Sequence, residues 1–64
     1  MHCKGTIIKD KNEYIATDIL TRIVVVGTTR DEALDSLRVA IEEYYGKEHG
    51  EIVIDVIDVI EGNK

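Results

Sequence analysis

The sequence predicts an α+β fold in the order β-β-β-α-β, and three observations predict it. Short runs of β-branched residues alternate with polar turn clusters as far as Gly27. One apolar stripe at three- and four-residue spacing then runs from Ala33 to Tyr44, behind a helix-capping sequence. A last apolar run, Glu51 to Ile60, follows a polar connection.

From Cys3 to Lys9 the side chains are compact and β-branched, with Thr6, Ile7 and Ile8 before the polar cluster Asp10, Lys11, Asn12; this predicts a strand and then a turn. Glu13 to Asp18 alternates, setting Tyr14 and Ala16 on one side and Glu13, Ile15 and Thr17 on the other, as a hairpin partner does. After a short Ile19 to Thr21 connection, Arg22 to Val26 reads as a third, well-buried strand ended by Gly27. Thr29, Arg30, Asp31 and Glu32 match a capping box, in which the threonine hydroxyl accepts from the third helical amide and the glutamate reaches back to the threonine amide. Ala33, Leu34, Leu37, Ala40, Ile41 and Tyr44 then form the stripe, Gly46 stops the helix, and Lys47 to Gly50 connects onward.

The fourth strand is unusual. Ile52, Ile54 and Val56 share one face, while Val53, Ile57 and Val59 share the other with only Asp55 among them. A sheet covered by one helix needs a single apolar face, so the second is expected to be covered by another chain, which makes Val53, Ile57 and Val59 the expected oligomer interface. Asp58 interrupts the first face and suggests a bulge or the end of pairing near Ile57. Glu61 to Lys64 reads as a frayed tail.

Composition narrows the class. The chain has 64 residues, 20 of them Ile, Val or Leu, with neither Phe nor Trp, so its core is aliphatic and small. Cys3 is the lone cysteine and has no disulfide partner, which leaves self-association as the natural extra support. No apolar run reaches membrane-spanning or signal-peptide length, and a cytoplasmic protein is expected. The net charge of −5 is uneven: residues 1–30 carry five basic and three acidic side chains, residues 31–64 three and ten. Direct nucleic-acid binding is therefore disfavoured, and a basic protein is the better partner.

The stretch Gly27-Thr28-Thr29-Arg30-Asp31-Glu32-Ala33-Leu34-Asp35-Ser36-Leu37-Arg38-Val39-Ala40-Ile41-Glu42-Glu43-Tyr44 resembles the small domain of the HicB-like antitoxin family, and Lys4 to Asp18 is similar to its opening hairpin. The likeness spans nearly all of residues 1–64, read as one HicB-like domain. Many members carry a Pro-Gly-Cys loop between the second and third strands, whereas Ile19-Leu20-Thr21-Arg22 stands here. Full antitoxins append a helix-turn-helix or ribbon-helix-helix segment, and nothing after Ile60 is expected to form one. The resemblance implies a truncated ribonuclease H-like sheet of strand order 3-2-1-4, its last strand parallel to the first and its helix on one face. It further implies neutralisation of a small basic ribonuclease toxin by protein contact or, for stand-alone members, no established activity.

Catalytic readings fare poorly. Two-metal cleavage needs carboxylates converging at a sheet end, but the first strand is centred on Gly5, Thr6, Ile7 and Ile8, and Asp55 and Asp58 point to opposite faces of a regular strand. His2, Cys3 and His49 match no metal-site spacing, and Cys3 lacks the orienting third group of a nucleophile, so it reads as a small hydrophobe. Thr28 and Thr29 beside Gly27 could offer amides to an anion, but capping explains them and Asp31 and Glu32 repel phosphate. No enzymatic activity, cofactor or metal is expected. Tyr44 lies on the stripe and reads as core; Tyr45 lies off it and reads as a partner contact with Glu42 and Glu43. That acidic end, with Glu48 and Glu51, either solubilises the helix or steers a basic partner. The expectation is a small protein-binding, antitoxin-like module, or a structural or regulatory homo-oligomer.

Overall fold

The computed structural model describes residues 1–46 and 50–59. Its elements are β1 (His2–Asp10), β2 (Glu13–Asp18), β3 (Val24–Gly27), α1 (Arg30–Tyr45) and β4 (Val53–Val59). The fold is α+β, as the periodicities predict. Four strands form one mixed sheet in the order β3-β2-β1-β4, with β1–β2 and β2–β3 antiparallel and β1–β4 parallel. The crossover from β3 to β4 contains α1, which lies on one face of the sheet.

The core is the layer between helix and sheet. Ala33, Leu37 and Ile41, at four-residue steps, meet Cys3 and Ile7 of β1, Ala16 of β2 and Ile52 ahead of β4. Gly27 lets the helix start against β3, because a Cβ there would stand 2.6 Å from the Ala33 amide nitrogen and 2.9 Å from its Cα. The β1–β2 register makes the turn a two-residue one, and Lys11 takes the left-handed backbone at φ 59°.

Several expectations need correction. The third strand begins at Val24, not Arg22, and is an edge strand with Val24 and Val26 exposed; Arg22 sits at φ 68° inside the preceding loop. Pairing of β1 with β4 runs unbroken from Val53 to Val59, so no bulge forms near Ile57. Asp58 stays on the helix side, where the Arg30 guanidinium donates to both its oxygens at 3.0 to 3.3 Å. That pair is exposed, and its worth is under about 1 kcal/mol. Tyr44 is not core: it is 64% exposed, whereas Tyr45 continues the 33-37-41 steps and packs on the core. The rings meet edge to face at 4.9 Å.

The helix starts as the sequence predicts and ends at Gly46, whose φ of 87° and ψ of 170° suit glycine almost alone. Thr29 Oγ1 accepts from the Glu32 amide at 3.0 Å, but the Glu32 carboxylate reaches one residue beyond the expected target. It accepts from the Thr28 amide at 2.6 Å and the Thr28 hydroxyl at 2.7 Å. The expected roles of Lys47, Glu48 and His49, the end of the last strand at Ile60 and the tail from Glu61 to Lys64 lie outside the described residues.

Candidate functional site: an open sheet face

Alternation along each strand sends half the side chains toward α1 and half away from it. The registers define what the second face presents. Val26, Ile15, Ile8 and Val59 are successive neighbours across all four strands and form one wholly apolar row. Val24, Thr17, Thr6 and Ile57 form the next. Beyond them Lys4 stands beside Asp55, and His2 beside Val53.

No described element covers this face. On the two edge strands Val24, Val26, Ile57 and Val59 are between 40% and 57% exposed. At about 4.8 Å between strands and about 6.7 Å between same-face residues, the two rows span roughly 250 Å² of flat sheet. That area is within what an ordinary monomer exposes, and what singles it out is an apolar row unbroken across all four strands. Ile57 and Val59 belong to it, whereas Val53 shares the face but lies beyond Asp55 and Lys4. What the sequence could not supply was the contribution of Ile8, Ile15, Val24 and Val26; the alternation in β2 was the available signal.

The edge of β4 adds a second feature. It is the last strand of the sheet, seven residues long, and has β1 on one side only. Its outer backbone groups lack a strand among the described residues, a state that invites pairing with another chain.

The acidic end of α1 is separate. Glu42 and Glu43 are exposed on the helix layer, away from the open face, and Tyr45 is half-buried beneath them, so these three do not form one flat patch. Burial raises the Tyr45 hydroxyl above its ordinary pKa, and the charges of Asp18 and Cys3 add to the rise. Asp55 and Asp58 point to opposite faces, as do the consecutive His2 and Cys3. Among the described residues no three His, Cys, Asp or Glu side chains come together as a metal site. No described helix is long and apolar enough to cross a membrane.

Compared with family models, curated proteins and solved structures, the chain matches none.

Proposed function

We propose that the chain is a small protein-binding module, similar to the antitoxin of a type II toxin-antitoxin pair, that acts by contact and without catalysis. The apolar row crossing all four strands on the uncovered face carries this reading. The strand order and the parallel last strand are those expected of a HicB-like, truncated ribonuclease H-like domain, and they support it as far as fold can support function.

A second copy is the first partner of that face. The apolar row and the Val24-Thr17-Thr6-Ile57 row fall short of the roughly 800 Å² that each side of a standard interface buries, so the contact takes in the β4 edge and Val53 as well. The helix layer then stays outward, leaving the exposed Glu42 and Glu43 for a small basic protein. If no such protein exists, the same surfaces describe a stand-alone homo-oligomer, the reading that the β4 edge favours.

Sedimentation at tens of micromolar, roughly where weak specific dimers form, tests the contact. Wild-type chain should sediment as a dimer or a dimer-based oligomer. Val53→Lys or Ile57→Lys should dissociate it, because each strands a charge in a desolvated contact. Asp55→Asn, at a position already polar, should not. A wild-type monomer that also retains no protein from its native lysate would overturn the proposal.

A further inference from the structure

A cleft of about 310 Å³ lies at one end of the sheet, where the start of β1, the end of β2 and the last turn of α1 converge. Met1, Ile19, Leu20 and Tyr45 make its walls largely apolar, and Cys3 and Asp18 supply its chemistry. Its volume is at the lower end of the range for small-molecule sites.

Asp18 is the unusual member. It is 1% exposed, the one charged side chain buried among the described residues. Its Oδ2 accepts from the Thr21 amide at 2.9 Å and the Thr21 hydroxyl at 2.6 Å, which ties down the β2–β3 loop. Its Oδ1 is shielded from water and has no partner among the described residues. Holding the loop takes one oxygen, and an asparagine would do that without a charge. A buried carboxylate oxygen left unserved carries an uncompensated desolvation cost, and a donor in the cleft removes it.

The surroundings select the donor. Burial raises the Cys3 thiol above its ordinary pKa, Asp18 raises it further and the chain's amino terminus opposes them; the thiol is thus a poor nucleophile. The Cys3 thiol and the Tyr45 hydroxyl, both pushed up by burial, stay neutral, so the unserved Asp18 oxygen is what a positive head group would meet. His2 and Lys4 border it from β1, and neither forms an ion pair with Asp18 among the described residues. The apolar walls suit a hydrocarbon body. Leu20, 80% exposed, is the wall side chain freest to move aside and open Oδ1.

We propose that this cleft binds a small organic cation, an ammonium or guanidinium head on a short apolar body, with the head on Asp18 Oδ1. The head comes from a free amine or from a basic side chain of a peptide. The site shares no residue with the apolar rows, so it stands or falls apart from the oligomer.

Nitrogen–proton correlation spectra of the full chain, titrated with n-butylamine and n-butylguanidine, test it. Saturable shifts at Cys3, Asp18, Thr21 and Tyr45 are expected, with n-butanol at least about tenfold weaker because it lacks the charge. Slower alkylation of Cys3 in the presence of the amine should accompany them. Asp18→Asn should weaken binding by about tenfold or more. Should that variant unfold, Leu20→Lys, altering an exposed side chain, should abolish binding by setting its own ammonium beside Asp18. Blocked peptides containing one Lys or Arg form the second arm: binding by these alone assigns the head to a protein side chain, and binding by the free amines assigns it to a metabolite-sized ligand. No saturable shift in either arm, equal binding of butanol, or unchanged affinity in both variants would overturn the proposal.

Discussion

At the scale of single residues, the helix start shows how far a local motif can be read. The Thr29 cap depends on four consecutive residues and folds as its sequence predicts. Thr29→Ala should therefore lower stability by about 1 kcal/mol in urea denaturation at neutral pH. Glu32 differs because a glutamate has reach to spare, and the Thr28 amide and hydroxyl both donate to one of its oxygens. The Thr28 hydroxyl first, and its amide second, hold the Glu32 pKa below its ordinary value of 4.5. A depressed carboxylate pKa stabilises the fold above the unfolded value, and that stabilisation fades as pH falls through the lowered folded one. Asp18 lies at the other extreme. From the sequence it is the last residue of a hairpin strand; only tertiary packing turns it into a buried carboxyl.

At the scale of elements, strand and helix boundaries followed the periodicity wherever one neighbouring element defines them. β2 matches its expected span from Glu13 to Asp18, and α1 its start after Thr29 and stop before Gly46. The third strand is shorter and more exposed than its sequence predicts, because a run of β-branched residues looks the same in a buried strand and at an edge. The two tyrosines exchanged places for a related reason: adjacent helix positions differ by about 100°, and the docking angle of α1 decides which faces the sheet. That docking runs through Gly27. Gly27→Ala should cost about 2 kcal/mol or more, since the added methyl meets backbone atoms of Ala33 that cannot rotate away. Thermal or urea unfolding measures it, and a loss within about 0.5 kcal/mol of zero would mean that the helix can shift without penalty.

At the scale of the whole molecule, one helix covers one face of a four-stranded sheet, and only seven apolar residues are buried among the described residues, four of them fully. Such a core supplies little stability alone. If a second copy covers Ile8, Ile15, Val24, Val26, Ile57 and Val59, folding and association are linked by mass action. The melting temperature should then rise with protein concentration across the micromolar range, and Ile57→Lys should flatten that dependence. A wild-type melting temperature independent of concentration would separate stability from self-association. The same layer count explains why helix and open face can serve different partners, since they point in opposite directions.

The sequence by itself determined the element order, the helix cap and the two-faced character of β4, because each is written in spacings of two to four residues that local backbone geometry converts directly into direction. It also carried the expectation that Asp55 and Asp58 could not share an ion. Tertiary structure alone decided that β3 is an edge, that Ile15 and Ile8 join Val26 and Val59 in one row, and that Asp18 is sealed beside Cys3 and Tyr45. Those facts depend on registers and crossings between segments far apart in the chain, where no local spacing records which residues become neighbours.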